Sequence, residues 1–374
     1  MQHEEPLVKS STLLILVIIT VVSAFLSFYI AVNVEGTDFP VFYTAAKRIL
    51  DESHSIEMIY QTHMTGLDIL PERYPHDNYF IYSPVIALLF APLAHFSYFT
   101  AKAIMVFINI FAYFVAIYLI LKMLEKCTWR FFILSTLFMW MPFITNFCGA
   151  QVNCLLLLLI VAALFISEKP AVSGSLLGLA ALFKVFPLAV ALLVGTLRRQ
   201  IAITCFGIFA LALLVPGSHY WLDAMPTVSA GHTPLFLFLS QYGIGWFLSF
   251  SITIIFLSSI TLYRTRPESP LAVFAYALPA ALAAMPVVQY HHLLLLTLTY
   301  SVFFLSDILF INRKWYGLLL LGTLAHINLN AFFETTPHSY WSVLLVWAVL
   351  TMSMPVTSHS RPLLGPFRRD VSFL

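Results

Sequence analysis

Residues 171–197 read AVSGSLLGLAALFKVFPLAVALLVGTL and carry one charge, that of Lys184. A continuous apolar run of this length can cross a bilayer as a helix, and it lacks the alternation typical of a barrel strand. It can be drawn as one span or as two short spans divided at Lys184-Val185-Phe186-Pro187. We predict one span, kinked or unwound at Pro187, because two spans would give an odd total and place the basic loops on inconsistent sides.

The rest of the chain has the same character. The protein has 374 residues, of which 60% are hydrophobic and 10% charged, whereas soluble proteins carry about 25% charged residues. This composition predicts an all-α polytopic membrane protein with a single transmembrane domain over residues 1–374. The net charge of +2 gives no indication of a nucleic-acid partner. About twelve spans can be drawn. They are 12–34, 81–97, 101–121, 130–147, 151–167, 171–197, 201–216, 242–263, 270–288, 293–311, 315–331 and 341–357.

Basic residues between the spans predict the orientation, because they concentrate on the cytoplasmic side. The pairs that agree on one side are Arg198-Arg199, Arg264 with Arg266, and Arg313-Lys314. Residues 1–11 and 358–374 are then cytoplasmic tails, and residues 35–80 and 217–241 are the first and second extracytoplasmic loops.

One basic cluster contradicts this scheme. Lys122, Lys126 and Arg130 fall outside the cytoplasm in it, against the positive-inside rule. The order of spans in the middle of the chain is therefore the weak point of the predicted topology.

Asp38 is the candidate catalytic residue. It lies just past the first span and directly before residues 40–50, which are apolar at helical spacing and begin with a proline. These residues predict an amphipathic helix on the membrane surface. On local sequence alone Asp38 is better explained as the N-cap of that helix, although a carboxylate held there could also take part in chemistry.

Further polar residues are candidates for substrate binding. Lys184 within a span costs several kcal/mol unless it faces a cavity or a partner, and snorkelling to an interface is the alternative. His291 and His292 lie at the outer end of a span, where one of them could contact a phosphate or simply be hydrated. Gln151 and Asn153 belong to a polar break that is equally well explained as a tight turn.

The chain lacks several motifs of soluble chemistry: a Walker loop, a dinucleotide-binding glycine pattern, a Cys/His zinc motif and a Gly-x-Ser-x-Gly elbow. Nucleotide-dependent chemistry of the soluble kind is therefore not expected.

Five stretches, in this order, resemble glycosyltransferase family 87, whose members are polytopic GT-C enzymes that use polyprenyl-phosphate sugars. They include the mycobacterial mannosyltransferases that extend phosphatidylinositol mannosides. The matching stretches are DFPVFYTAA (38–46), YSP (82–84) with LLFAPL (88–93), GAQVN (149–153), GLAALFKVFP (178–187) and QYHH (289–292).

The resemblance implies a GT-C type helical bundle and a reaction. Asp38 would be the general base that deprotonates the acceptor hydroxyl, which attacks the anomeric carbon with inversion. The donor would be a polyprenyl-phosphate hexose, with mannose favoured, and the acceptor a lipid or glycan.

The resemblance also implies where the substrates bind and where the enzyme acts. The residues expected to bind the donor phosphate or the substrate are Lys184, His291, His292, Gln151, Asn153 and Tyr82. We expect no cofactor and no metal ligands in the chain, and leave a need for divalent metal open. The enzyme would act at the outer face of the plasma membrane.

Two other functions compete with this one. A polytopic lipid or solute transporter, or a flippase, could also use an intramembrane lysine, and a non-catalytic scaffold needs none of these residues. Convergence of Asp38, the histidine pair and Lys184 on one cavity would favour the transferase.

Overall fold

The structure is a computed structural model that describes most of the chain. The described residues are 39–51, 56–61, 80–126, 128–224, 244–267, 269–285, 290–305, 313–333 and 336–354, together with 18, 21, 22, 25, 28, 29 and 241. All regular elements in these residues are helices, which confirms the predicted all-α class for them.

The helices are numbered in chain order. The first eight are α1 (Phe39–Leu50), α2 (Met58–Gln61), α3 (Pro84–Phe90), α4 (Tyr98–Met123), α5 (Trp129–Phe138), α6 (Trp140–Cys148), α7 (Asn153–Phe165) and α8 (Pro170–Phe183). They continue with α9 (Phe186–Gly195), α10 (Arg199–Leu213), α11 (Ser218–Ala224), α12 (Ile244–Thr265), α13 (Pro270–Ala283), α14 (Thr297–Leu305), α15 (Arg313–Phe333) and α16 (Thr336–Ser353). Two 3-10 helices cover Ala91–His95 and Tyr290–Leu296.

Two of these helices meet the length and hydropathy that a membrane crossing needs: Tyr98–Met123 and, within α12, Gly245–Thr265. Other apolar helices among the described residues have 10–17 residues. On α4, Phe107 and Phe111 are 64% and 61% exposed. Tyr113 lies on the opposite side and is buried. An apolar helix that exposes large aromatic side chains is suited to contact with lipid.

The predicted single span over residues 171–197 is wrong, because the segment is a hairpin of two helices, α8 and α9. Lys184 separates them with an extended backbone, φ −151° and ψ 136°. Pro187 lies in the first turn of α9, where its missing N–H has no helical partner to lose.

The neighbours of two glycines on α8 show how α8, α9 and α10 run relative to one another. Gly174 faces Ile201 on α10, and four residues later Gly178 faces Ile208, so α8 and α10 run parallel. A Cβ on Gly178 would lie only 2.7 Å from the Cβ of Ile208, and its absence lets the helices approach closely. The short turn between α9 and α10 returns the chain, so that α9 runs antiparallel to both.

The hairpin places Lys184 and Arg198 at opposite ends of the bundle, which we call the Lys184 end and the Arg198 end. Arg198 donates a hydrogen bond to the Ser167 carbonyl at 2.9 Å. The Lys122 Nζ lies 5.5 Å from the ring centroid of Phe165, two residues before Ser167. Lys122 therefore lies at the same end of the bundle as Arg198, although the predicted topology put the two residues on opposite sides of the membrane.

The predicted span over residues 81–97 is also wrong. The ring of Tyr82 lies 4.6 Å from that of Phe42, and the Phe96 carbonyl accepts a hydrogen bond of 2.8 Å from the Tyr43 hydroxyl. The segment thus begins and ends beside neighbouring residues of α1. Its helix α3 and the 3-10 helix Ala91–His95 follow one another directly and fold back on α1 instead of running from one side of a bilayer to the other. Part of its apolar surface, including Ile86 and Phe90, is buried against protein, whereas Leu88, Leu89 and Phe96 are exposed.

The helix predicted over residues 40–50 is present as α1, but its first two turns do not lie on a surface. Residues 39–46 are all buried, because α3 and the 3-10 helix Ala91–His95 pack against them. The ring of Tyr98 lies 5.6 Å from that of Phe39. Exposure rises only from Lys47 onward, so the predicted amphipathic surface helix is corrected to a helix enclosed by protein.

Asn328 on α15 stabilises the junction of α5 and α6. Pro142 has no N–H to offer the Phe138 carbonyl, and the Asn328 Nδ2 donates to that carbonyl at 3.1 Å. The Asn328 Oδ1 accepts from the Met141 N–H at 3.0 Å. One amide thus satisfies the carbonyl that the proline leaves without a donor and a first-turn N–H of α6 that has no helical partner.

We expect Asn328→Leu to destabilise the fold by about 2 kcal/mol, because it leaves a backbone donor and an acceptor unpaired. Thermal unfolding in detergent measures the change. Leu329→Ala, at an exposed neighbouring position, is the control and should change stability by no more than about 0.5 kcal/mol. Equal stability of Asn328→Leu and the parent would contradict this role for the amide.

Candidate active site at the Lys184 end of the bundle

Lys184 contacts a histidine that is distant in the sequence. Its Nζ lies 2.5 Å from the Nε2 of His292, although the two residues are 108 positions apart. An ammonium group has only donors, so the imidazole Nε2 accepts and the neutral ring carries its proton on Nδ1. His292 is 5% exposed. Lys184 therefore has a hydrogen-bond partner, as expected for a lysine whose placement in an apolar segment costs free energy.

The two histidines of the predicted pair differ in what the structure describes. His292 belongs to the 3-10 helix Tyr290–Leu296 and is the residue that meets Lys184. The side chain of His291 lies outside the described part of the structure. The 3-10 helix packs against both α6 and α7, which flank the polar break at residues 149–153.

The start of α1 is held against that break. The backbone N–H of Phe39 donates to the Gly149 carbonyl at 3.3 Å. Ala150 has φ 44°, a left-handed conformation that is uncommon for alanine and that closes the turn between α6 and α7. Asp38, which is covalently bonded to Phe39, lies outside the described residues, so both the cap and the base assignments stay predictions.

Three buried amides surround the turn. Asn146 donates from Nδ2 to the Gln151 carbonyl at 3.4 Å and to the Cys154 Sγ at 3.2 Å. Asn146 and Asn153 are fully buried, and Gln151 is 2% exposed. Four of their side-chain atoms have no hydrogen-bond partner within the described structure: Asn146 Oδ1, Gln151 Oε1, Asn153 Nδ2 and Asn153 Oδ1. Each such atom costs about 1–3 kcal/mol, and a native structure rarely carries several of them at one place without a reason.

Asn146 was missed by the sequence reasoning, whereas Gln151 and Asn153 were predicted. The available signal was its position: it lies near the end of an apolar run, only five residues before Gln151. A polar side chain inside a membrane-compatible segment is itself an indication of function.

Tyr82 contacts α1 and α2 in the described structure. Its ring packs on Phe42, and its carbonyl accepts a 2.8 Å hydrogen bond from the Tyr60 hydroxyl. Burial raises the pKa of Tyr60 above its ordinary value, so this hydroxyl stays a donor. These contacts give Tyr82 a role in holding α1, and its predicted role in substrate binding stays a prediction. The 3-10 helix that carries His292 packs on α6 and α7, which flank the amides.

A second set of contacts at the Lys184 end joins α11 to the segments that contain Glu57 and Ile81. The Tyr220 hydroxyl donates to the Glu57 carboxylate at 3.2 Å, and Trp221 Nε1 donates to the Ile81 carbonyl at 3.0 Å. Desolvation and the neighbouring Glu57 raise the pKa of Tyr220. Among the described residues, no three His, Cys, Asp or Glu side chains lie close enough together to hold one metal ion.

Apolar helices with exposed large hydrophobic side chains and polar side chains buried beside a turn are typical of a membrane protein. The model of glycosyltransferase family 87 matches residues 80–311. The chain therefore belongs to glycosyltransferase family 87 and is a glycosyltransferase. No curated protein matches the chain. The matched range includes Lys184, His292, Gln151 and Asn153 and begins after Asp38.

Proposed function

We propose that the protein transfers a hexose, with mannose the favoured sugar, from a polyprenyl-phosphate donor to a hydroxyl group of a lipid or glycan acceptor. The observation that carries this proposal is the contact of Lys184 with His292 at the break between two apolar helices. A cationic donor beside a second nitrogen donor suits a phosphate at the membrane boundary. The isoprenoid chain keeps the donor in the bilayer, since each buried CH2 contributes about 0.8 kcal/mol.

The proposed step is a direct displacement with inversion. The Asp38 carboxylate takes the proton of the acceptor hydroxyl, and the acceptor oxygen forms a bond to the anomeric carbon. The bond from that carbon to the phosphate oxygen breaks, and its electron pair leaves with polyprenyl phosphate. Lys184 stabilises the charge that develops on the leaving oxygen. One carboxylate suffices, because the acceptor replaces the leaving group in a single step.

The role proposed for Asp38 is supported by what is described of its neighbour: Phe39, the next residue in the chain, is hydrogen-bonded to the Gly149 carbonyl. A transporter or flippase would not need a carboxylate beside this turn, and membership of the glycosyltransferase family favours transfer.

The experiment that tests the donor class uses purified protein in lipid nanodiscs. Labelled polyprenyl-phosphate mannose and glucose are compared with the corresponding nucleotide sugars, and glycolipid products are identified by mass spectrometry. We expect transfer only from the lipid-linked sugars. Transfer from a nucleotide sugar alone would overturn the proposed donor.

We also propose a topology: about twelve crossings of the plasma membrane, with the Lys184 end facing outside the cytoplasm. Removing the span 81–97 and dividing 171–197 into two leave the total number unchanged. Lys122 and Lys126 then lie in the cytoplasm with Arg198, in agreement with the positive-inside rule.

Single cysteines test this topology in a variant whose four native cysteines are replaced by alanine. We expect a membrane-impermeant maleimide to label His219→Cys in intact cells and to label Lys126→Cys and Glu168→Cys only after permeabilisation. Labelling of Lys126→Cys in intact cells would contradict the assigned sides.

A further inference from the structure

We propose that Asn146, Gln151 and Asn153 form a subsite for the sugar hydroxyls of the donor, distinct from the Lys184–His292 pair that binds its phosphate. This inference rests on the proposed function and divides its site into two parts with different chemistry. The four unpartnered atoms of the three amides carry it.

The unpartnered atoms select the ligand chemistry. Three of them are amide oxygens, which accept hydrogen bonds, and one is an amide nitrogen, which donates. Hexose hydroxyl groups both donate and accept, whereas the phosphodiester monoanion of the donor only accepts. A phosphate would leave the three oxygens unpaired and bring negative charge towards them. The set therefore fits a neutral polyol.

The orientation of Asn146 is fixed by its own contacts. Its Nδ2 donates to the Gln151 carbonyl and to the Cys154 Sγ, and the carbonyl could not donate to the Oδ1 of a flipped amide. The Oδ1 of Asn146 is therefore the atom left for a ligand hydroxyl.

The location of the amides agrees with the proximity of sugar and phosphate in a glycosyl donor. The turn that carries Gln151 binds the backbone of Phe39 through Gly149, beside the residue proposed as base. The 3-10 helix that carries His292 packs on the helices at both ends of the turn. The amides and His292 thus belong to elements that pack on one another, which is the neighbourhood that a sugar and its phosphate would need.

The four atoms are shielded from solvent, so binding of a hexose includes an opening of the packing around the turn. Ordered water is the competing occupant, since buried water commonly satisfies such groups. The two occupants can be distinguished by lipid binding. If the amides hold only water, changing them should affect lipids with and without a sugar equally.

Asn153→Leu tests the subsite, because leucine has a similar shape and Asn153 has no side-chain partner to lose within the described structure. Binding of two probes is measured in nanodiscs: polyprenyl phosphate without sugar, and polyprenyl-phosphate mannose. We expect the variant to bind the mannose-bearing lipid about tenfold more weakly, equivalent to about 1.4 kcal/mol, and the sugar-free lipid within about twofold of the parent affinity.

The comparison separates the possible failures. Asn146→Leu should repeat the selective loss, whereas Lys184→Gln should weaken binding of both lipids. Equal effects of Asn153→Leu on the two lipids, or none on either, would overturn the sugar subsite and leave the donor class standing. Failure of the parent protein to bind either lipid would overturn the proposed donor and this subsite together.

Discussion

Asp38→Asn is expected to lower the rate of sugar transfer by about 10²–10⁴-fold, the range that a positioned general base contributes. Asparagine keeps the size of the side chain but cannot accept the acceptor's proton. The proposed phosphate and sugar contacts come from other residues, so the affinity for polyprenyl-phosphate mannose should change little. Single-turnover transfer and equilibrium donor binding, measured on the same nanodisc preparation, separate the two quantities.

Two controls distinguish a base from a helix cap. Asp51→Asn makes the same chemical change at the exposed residue that follows α1, and it should transfer sugar at the parent rate. Asp38→Ser retains an oxygen that can cap the helix but cannot serve as a base, and it should be as inactive as Asp38→Asn. Parent-like transfer by Asp38→Asn, or full activity of Asp38→Ser, would remove Asp38 from the base role.

Much of the site could be predicted from the cost of polar groups in apolar sequence. Lys184 was identified because a charge within a span needs a partner, and Gln151 and Asn153 because they interrupt an apolar run. The partner itself could not be assigned, since no local pattern connects Lys184 with His292 across 108 positions. Adjacent residues of a 3-10 helix point in different directions, and hydropathy does not show which of the two histidines points towards Lys184.

The spans were predicted less well, because hydropathy reports apolar surroundings without saying whether lipid or protein provides them. The segment 81–97 is apolar enough to be predicted as a crossing, but both of its ends contact α1. The division of 171–197 at Lys184-Val185-Phe186-Pro187 was visible in the sequence, but a single span was predicted because two spans gave an odd total. These two errors cancel in the total, which explains why the predicted orientation of the loops contradicted only the cluster around Lys122.

Lys184→Gln is expected to reduce kcat/KM for transfer by about 10²–10³-fold, as does loss of one donor that stabilises charge in a transition state. Glutamine can still donate a hydrogen bond to His292, so the local packing is largely retained while the cation is lost. Lys169→Gln is the matched control, because Lys169 precedes the opposite end of the same helix and should be dispensable.

Lys184→Arg separates charge from geometry. A guanidinium restores the positive charge but is larger and planar, so we expect partial recovery, with transfer between that of the glutamine variant and that of the parent. The expected loss in Lys184→Gln follows from the leaving group, whose negative charge grows as the glycosidic bond breaks. Donors that differ only in the acidity of the leaving phosphate therefore give a further measurement. The variant should discriminate against the less acidic phosphate more strongly than the parent does, since it lacks the cation that offsets poor leaving ability. Equal discrimination by the two proteins would mean that Lys184 binds the donor without stabilising its departure.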